Sequence, residues 1–128
     1  MFVRSSMSTK PIVIGPTESL IEARRKMEEG NFRRLPVVRD GRLIGIVTDR
    51  DLRQHTGHFE HTRVTAAMTD ELITAVPEMR LEEAADLMVK HKVGGLPVTD
   101  GGNLVGIITT TDLLRAFSRT QGEVPRND

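Results

Sequence analysis

The chain repeats its own sequence after an interval of 61 residues. When residues 7–53 are aligned without gaps to residues 68–114, 17 of the 47 pairs are identical, whereas unrelated segments of this length would share about three. The identical pairs include Leu35-Pro36-Val37 with Leu96-Pro97-Val98. Such a duplication predicts two copies of one structural unit. The two copies are expected to pack together, because one copy of this length buries too little surface to be stable alone.

Each copy predicts the element order β-α-β-β-α. A short β-branched run, at residues 12–14 or 72–76, is broken by Pro16 or Pro77, and an amphipathic helix follows. The first helix is expected to start near Ser19 and to stop at Gly30. The apolar positions recur at helical spacing. They are Leu20, Ala23 and Met27 in the first copy and Leu81, Ala84, Ala85 and Met88 in the second.

Two strands and a second short helix complete each copy. The strands at residues 35–38 and 96–99 contain Pro36 and Pro97, which lack an amide proton, so we expect these strands at a sheet edge or a bulge. Glycine-containing turns then lead to apolar strands at residues 43–47 and 104–108. The closing helices are expected from residue 49 to about 54 and from residue 110 to about 117.

The predicted fold class is therefore α/β in the α+β sense, with two β-α-β-β-α repeats packed sheet to sheet about a pseudo-two-fold axis. We expect repeat one at residues 3–56, a linker at 57–63, repeat two at 64–118 and a polar tail at 119–128. Residues 64–68 are expected to form a helical turn that leads into repeat two, and the tail is expected to fray.

The composition argues against several classes of protein. Eighteen lysines and arginines balance eighteen aspartates and glutamates, which argues against a nucleic-acid clamp and against polybasic attachment to a membrane. The chain has no cysteine, which excludes disulfides and thiol nucleophiles and is typical of a cytoplasmic protein. No stretch approaches the roughly 20 apolar residues of a membrane span, and the first ten residues do not resemble a signal peptide.

A Thr-x-x-Asp sequence follows the apolar strand in both copies, at residues 48–51 and 109–112. A threonine N-cap with an acid three residues later is a capping-box variant, and it stabilises a helix start by about 1 kcal/mol. The same arrangement suits a ligand, because a helix N-terminus favours phosphate and a carboxylate can accept ribose hydroxyls. The motif alone leaves both interpretations open. Its occurrence at corresponding places of a duplicated unit favours a ligand-binding cleft between the copies.

The pattern L-P-V…G-x-L-x-G-I-[VI]-T-x-x-D-L, present twice, resembles a tandem pair of CBS domains, also called a Bateman module. The resemblance covers residues 3–118, and it is strongest to stand-alone bacterial members. It implies a regulatory module that binds an adenosine-containing ligand (AMP, ADP or ATP, with S-adenosylmethionine as a further candidate) and needs no cofactor. It also implies a homodimer that acts on a separate, unknown protein in the cytoplasm, with no nucleic acid or membrane as partner.

The resemblance further implies two ligand sites, each combining the Thr-x-x-Asp segment of one repeat with loops of the other. In site one, Asp112 would hold the ribose, Thr109 would meet phosphate, and Ile107 with Phe32 would pack on adenine. The residues of site one are Thr109, Asp112, Ile107, Thr17, Ala23, Phe32, Arg33 and Arg34. The residues of site two are Thr48, Arg50, Asp51, Ile46, Ala84, Val93, Gly94 and Gly95.

The two implied sites differ in charge. The Arg33-Arg34 pair would neutralise ligand phosphate in site one, and Gly94-Gly95 stands at the corresponding place in site two. Arg50 and Lys92 could compensate for the missing arginines, but we expect unequal affinities, with site one the stronger. The alternative interpretation of Arg33-Arg34 is a solvated surface pair.

Other features of the sequence carry weaker signals. His55, His58 and His61 recur at three-residue intervals, but this spacing matches no established zinc motif, and a polar connector is the favoured interpretation. The sequence contains no serine–histidine–acid set or carboxylate pair in a recognisable motif, so we expect no enzyme activity. The alternative function is an interaction or assembly module that binds no nucleotide.

Overall fold

The computed structural model describes residues 1–70 and 72–123, with side chains as far as Arg119. The chain forms helices and antiparallel strands, which confirms the predicted fold class. In order, the elements are a 3-10 turn at Val3–Ser5, α1 at Leu20–Gly30, β1 at Arg34–Arg39, β2 at Arg42–Thr48, α2 at Asp49–Gln54, a 3-10 turn at Phe59–His61, α3 at Val64–Ala67, α4 at Leu81–His91, β3 at Gly95–Asp100, β4 at Asn103–Thr109 and α5 at Thr110–Glu123.

The first long helix of each repeat forms where the sequence predicts it. The side chain of Ser19 caps α1 by accepting the amide of Glu22 at 3.4 Å, and Asn31 ends the helix in the left-handed conformation at φ 55°. Helix α4 ends in the same way at Lys92, also at φ 55°. The predicted apolar faces are buried at Leu20, Ala23 and Met27 in α1 and at Leu81, Ala84 and Met88 in α4. Ala85, which was also predicted for the α4 stripe, is only partly buried.

Strands β1 and β2 form a hairpin around the predicted turn. Asp40 and Gly41 have φ of 51° and 80°, as a two-residue type I′ turn requires. The register of β1 against β2 shifts between Val37 and Val38, next to Pro36. The strand order is β1-β2-β4-β3, so the two proline-containing strands are the outermost of the four, as predicted.

The predicted first strand of each repeat is reduced to a single bridge. Ile14 forms a parallel bridge with Val37, and Ala75 forms one with Val98. The strands expected at residues 12–14 and 72–76 were therefore predicted too long. Because the ladder uses alternate residues of a parallel strand, the next donors would be Pro16 and Pro77, which have no amide proton.

The described residues form two compact units, and each has its own hydrophobic core. The first unit comprises residues 11–72 and 101–104. Within it, Arg42 of β2 pairs with Asn103 of β4. Its core consists of Ile14, Leu20, Ala23, Met27, Leu35, Val37, Val47, Leu52 and Val64.

The second unit comprises residues 1–10, 73–100 and 105–123. Its core consists of Val3, Ala75, Leu81, Ala84, Met88, Leu96, Val98, Ile108 and Ala116. Most of the two cores are related by the 61-residue shift, because Leu20, Ala23, Met27 and Leu35 correspond to Leu81, Ala84, Met88 and Leu96.

Each unit includes a leading segment that, by sequence, belongs to the other repeat. Val3 is fully buried in the second unit, and Val64 is fully buried in the first. The backbone bonds that hold the two segments are equivalent. They are Val3 to Met79, Arg4 to Pro77 and Leu81 to Met1 in the second unit, and Val64 to Glu18, Thr65 to Pro16 and Leu20 to Thr62 in the first. The sequence boundary at residue 64 therefore does not coincide with a boundary between compact units.

Helix α5 is longer than the sequence predicts. It extends to Glu123, so the expected helix end near residue 117 and the fraying tail from residue 119 were wrong for residues 119–123. No proline interrupts this stretch before Pro125, and buried Ala116 anchors the helix in the core of the second unit. The rest of the tail, residues 124–128, lies outside the described residues. Among the described helices, none has the length and apolarity required to cross a bilayer.

Candidate functional site

The side chain of Asp112 is locked to Thr109 at the start of α5. Oδ2 of Asp112 accepts the Thr109 amide at 2.8 Å and the Thr109 hydroxyl at 2.9 Å. The hydroxyl oxygen in turn accepts the amide of Asp112 at 3.2 Å. The Asp112 side chain is only 15% exposed, so this carboxylate is not turned outward to bulk water.

The same lock is present at the start of α2. Oδ2 of Asp51 accepts the amide of Thr48 at 2.8 Å and its hydroxyl at 3.1 Å, and the Asp51 amide donates to the hydroxyl oxygen at 3.3 Å. This is a complete capping box. The structural interpretation of Thr-x-x-Asp is therefore confirmed, and within the described residues the hydrogen bonds of each carboxylate use only Oδ2.

The second carboxylate oxygen, Oδ1, is the atom of each motif that can accept hydrogen bonds from a ligand. Oδ1 of Asp112 lies 3.7 Å from Nη1 of Arg115, a distance beyond a direct hydrogen bond. Within the described part of the chain, no residue bonds to Oδ1 of Asp51. A carboxylate oxygen has two lone pairs, so each Oδ1 can accept both hydroxyls of a diol.

The threonine hydroxyls are not available to donate to a phosphate, although the sequence suggested this role for Thr109. The single hydroxyl protons of Thr48 and Thr109 are already donated to the aspartates, so neither can donate to a phosphate without breaking the lock. The first helical amides are also engaged, because Asp49 donates to the carbonyl of Arg33 at 2.9 Å and Thr110 donates to that of Gly94 at 3.0 Å. The predicted role of these threonines toward a phosphate would therefore require the lock to open.

The Arg33-Arg34 pair lies beside α2 in the first unit. Arg33 is exposed and Arg34 is about half-buried. Burial lowers the pKa of the Arg34 guanidinium, and the nearby Asp49 carboxylate acts against that shift. Arg33 is therefore the more exposed of the two arginines, and the assignment of the pair to a phosphate site remains a prediction.

The equivalent loop of the second unit carries no charge at these positions. Gly94 is exposed and Gly95 is buried, and the carbonyl of Gly94 also accepts the hydroxyl of Thr110 at 3.2 Å. Val93 is partly buried against the core of this unit. The backbone geometry of the loop is conserved between the two units, while its side chains are not.

Several other predicted site residues have a structural role. Ala23 and Ala84 are fully buried in the cores of their units, so direct contact with a ligand is not available in this conformation. Phe32 lies over Gly30, where a Cβ would come within 1.9 Å of the phenyl ring. Thr17 and Arg50 are exposed. Their assignment to the sites remains a prediction.

The strands that carry Ile46 and Ile107 are held by segments that sequence reasoning missed. Ile46 exchanges two backbone bonds with Thr69 (2.9 and 2.8 Å), and Ile107 exchanges two with Ser8 (2.9 and 3.0 Å). The sequence did contain an indication of these contacts. A glycine precedes the isoleucine in both strands, and the absence of a side chain allows another backbone segment to approach closely. A Cβ on Gly106 would lie 2.6 Å from the Ser8 carbonyl oxygen.

The structure places the two halves of each predicted site in different units. Thr109, Asp112 and Ile107 belong to the second unit, whereas the loop residues of site one belong to the first; site two has the reverse arrangement. The combination of the halves remains a prediction. For the histidines at 55, 58 and 61, no group of three metal-binding side chains occurs among residues 1–70 and 72–119.

Comparison with protein families gives two matches in this chain. The CBS domain family matches residues 3–57 and residues 64–119. The CBS domain-containing protein YhcV of Bacillus subtilis is 38% identical over 114 residues, which cover 87% of this chain and 81% of that protein. The chain spans only 20–21% of the length of the inosine-5′-monophosphate dehydrogenases that it also matches.

Two solved structures combine the same fold with a bound adenosine compound. CBSX2, a protein of Arabidopsis thaliana solved in complex with AMP, superposes with a TM-score of 0.87 at 28% identity over 94% of this chain and 98% of that one. The CBS domain pair of MJ0100, in complex with 5′-methylthioadenosine and S-adenosyl-L-methionine, has a TM-score of 0.81 at 29% identity over 94% and 98%.

Proposed function

The chain belongs to the CBS domain family, and from this membership we propose that it is a regulatory module that binds an adenosine-containing ligand between its two repeats. The ligand classes are AMP, ADP or ATP and the unphosphorylated type represented by S-adenosylmethionine, because similar CBS pairs are described with AMP and with adenosyl sulfur compounds. The chain acts on a separate protein, as a homodimer in the cytoplasm, and has no catalytic role of its own.

The proposal rests on the two aspartates of the motifs, whose Oδ2 atoms are hydrogen-bonded within the capping boxes and whose Oδ1 atoms are not. Asp51 and Asp112 each commit Oδ2 to a capping box, and among the residues that the structure describes none makes a direct hydrogen bond to Oδ1 of either. A carboxylate fixed in this way is preorganised to accept the two hydroxyls of a ribose, as acidic residues do in dinucleotide-binding folds. In site one, Arg33 then supplies the charge for a phosphate.

Regulation requires two states that bind the ligand with different affinity. Each proposed site combines residues of both repeats, so a ligand that contacts both favours the state in which these residues come together. We propose that the partner protein recognises this arrangement. The coupling is then reciprocal, and the partner in turn raises the affinity for the ligand.

A thermal-shift panel with adenosine, AMP, ADP, ATP and S-adenosylmethionine tests the proposal. A ligand at 100 times its dissociation constant stabilises the folded state by about 2.7 kcal/mol. We expect Asp112→Ala to abolish most of the AMP shift and Asp51→Ala to reduce it less, since site one carries the arginines. Asp86→Ala, an exposed carboxylate of α4 outside both sites, is the matched control and should keep the full shift.

Two outcomes would contradict the proposal in different ways. A greater loss in Asp51→Ala than in Asp112→Ala would reverse the ranking of the sites. No shift with any adenosine compound would favour the second candidate, an assembly module without a nucleotide ligand. Exposed apolar side chains support that candidate, because Val89 of α4 and Leu114 and Phe117 of α5 are 79%, 63% and 61% exposed.

A further inference from the structure

Helices α4 and α5 of the second unit expose apolar side chains. Val89 of α4 and Leu114 and Phe117 of α5 are each more than half exposed. The two helices contact each other, and the hydroxyl of Thr110 in α5 lies 3.9 Å from Sδ of Met88 in α4. Leu114 and Phe117 are three positions apart and therefore lie on the same face of α5. We refer to Val89, Leu114 and Phe117 as the α4–α5 face; exposed apolar side chains gathered on neighbouring helices are typical of an interaction surface.

The duplication shows that the fold does not require apolar residues at these three positions. The first unit has Glu28, Arg53 and Thr56 at the equivalent places of the sequence. Glu28 pairs with Arg24 at 3.9 Å in α1, and Arg53 pairs with Asp49 at 3.2 Å in α2. The same fold is therefore built with a polar, ion-paired surface in one unit and with exposed apolar side chains in the other. The apolar residues of the second unit call for a reason outside the fold, and a partner that covers them supplies one.

Three acidic side chains of α4 lack an ion-pair partner among the side chains that the structure describes. They are Glu82, Glu83 and Asp86, and all three are exposed. The helix dipole favours Glu82 and Glu83 in the first turn, but Asp86 lies beyond that turn. The first unit has Arg25 at the place of Asp86, and Arg25 pairs with Glu29 at 2.8 Å within α1. The negative charge of α4 can therefore be neutralised by a cation of another molecule.

The exposed charges near the apolar residues of α5 have the opposite sign. Arg115 and Arg119 are exposed, and because they are four positions apart they lie along one side of the helix. The second unit thus carries exposed acids on α4 and exposed arginines on α5. Such a surface is complementary to a second copy of itself, because a two-fold rotation can place α5 of one copy against α4 of the other. This charge complementarity favours a second copy of the chain over a different protein as the occupant of the α4–α5 face.

We propose that two copies of this chain associate through the α4–α5 face, so that the second unit of one copy packs against the second unit of the other. The inference rests on the homodimer in the proposed function, and it assigns the contact to one of the two repeats. The contact is isologous, so Leu114 and Phe117 of each copy are buried against α4 and α5 of the other. The equivalent positions of the first unit, Glu28, Arg53 and Thr56, stay in solvent.

Single cysteines can show which surfaces meet, because the chain contains no cysteine of its own. In a two-fold contact, the α4–α5 face of one copy lies close to the same face of the other. A bifunctional maleimide with a span of about 10 Å, the distance between packed helix axes, should therefore link Leu114→Cys chains, and likewise Phe117→Cys chains, into covalent dimers on a denaturing gel. Arg53→Cys, at the equivalent position of the first unit, is the matched control and should run as a monomer.

A transfer of residues from the first unit tests the strength of the contact. The double change Leu114→Arg with Phe117→Thr gives α5 the residues that the first unit carries at the equivalent places. Both side chains are exposed, so the fold should be kept, and circular dichroism checks this. In sedimentation equilibrium we expect the dissociation constant of the dimer to rise about thirtyfold or more, as for loss of an interface hot spot. Arg53→Ala with Thr56→Ala is the control and should leave that constant unchanged.

The outcomes separate this inference from the proposed ligand binding. The inference is wrong if the unmodified chain is monomeric, even where a different protein binds the α4–α5 face. It is also wrong if the α5 substitutions leave the dimer unchanged, or if Arg53→Cys cross-links as efficiently as Leu114→Cys and Phe117→Cys. In each of these cases the thermal shift with adenosine compounds still tests ligand binding by itself. A dimer that cross-links through α5 but shows no shift with any adenosine compound supports the inference and contradicts the proposed ligand.

Discussion

Oδ2 of Asp112 accepts both the amide and the hydroxyl of Thr109, at 2.8 and 2.9 Å, and Oδ1 of the same carboxylate takes no part in that lock. The side chain therefore has two roles that use different oxygens. One oxygen stabilises the start of α5, and the other can bind a ligand without loss of the cap. The same division holds for Asp51 and Thr48.

Removal of the threonine hydroxyl should weaken the helix start. Thr109→Val eliminates one bond to Oδ2 and the acceptor for the Asp112 amide, so we expect the free energy of unfolding to fall by about 1 kcal/mol in urea denaturation. Thr111→Val, two residues later on the exposed side of the same helix turn, is the control. Equal losses for Thr109→Val and Thr111→Val would show that the lock contributes nothing to stability.

The close approach of Ser8 to β4 should make Gly106 sensitive to substitution. A Cβ there would lie 2.6 Å from the Ser8 carbonyl oxygen and 2.8 Å from Sδ of Met7. We expect Gly106→Ala to lower the free energy of unfolding by about 1–3 kcal/mol and to accelerate hydrogen exchange at the Ile107 amide. Gly15→Ala is the control, because its nearest neighbour is the end of the Glu18 side chain at 3.2 Å. Unchanged exchange at Ile107 would contradict the contact.

Substitution of Arg33 and of Arg34 should have different effects on AMP affinity and on the free energy of unfolding. Arg33 is exposed, so Arg33→Ala should change the free energy of unfolding by less than about 0.5 kcal/mol while weakening AMP binding about tenfold. Arg34 is half-buried beside Asp49, so Arg34→Ala should reduce stability as well. Urea unfolding and AMP titration of both variants check this. Equal stability of the two variants would contradict the assignment.

The charged face of α1 should give a small dependence of stability on pH. Hydrogen bonding to Arg25 holds the pKa of Glu22 below its usual value of 4.5. A carboxyl with a depressed folded pKa contributes stability above its unfolded pKa, and that contribution is lost as the pH falls through the folded value. Between neutral pH and the acid side of 4.5, Glu22→Gln should therefore lose less stability than the unmodified chain. Urea unfolding of both proteins across this pH range measures the difference, and equal losses in Glu22→Gln and the unmodified chain would contradict the role of Arg25.

The local structure was largely predictable because the governing interactions are short-range. Ser19, Pro36 and the Asp40-Gly41 turn each act within a few residues, and the elements they control formed where expected. The exchanged leading segments were not predictable in this way. The 61-residue alignment pairs Met7 with Met68 but does not indicate which unit each one packs against, since that depends on contacts such as Ser8 with Ile107 over 99 positions of sequence.

For the candidate site, the sequence predicted the Thr-x-x-Asp motifs but not the geometry of their side chains. Thr-x-x-Asp at both helix starts follows from the sequence, but the use of a single carboxylate oxygen depends on distances that a sequence does not contain. The burial of Ala23 and Ala84 is a further example, because a small apolar residue on a helix suits either a ligand contact or a core. The charge contrast between Arg33-Arg34 and Gly94-Gly95 was visible at once.

A crystal structure of the protein grown with AMP decides whether Asp112 binds the ribose. We expect both ribose hydroxyls to donate to Oδ1 of Asp112, within about 3 Å, while Oδ2 keeps its bonds to Thr109 and the phosphate lies beside Arg33. AMP bound away from Asp112, or a site-one region in which Asp112 and Arg33 lie too far apart to contact one nucleotide, would contradict it.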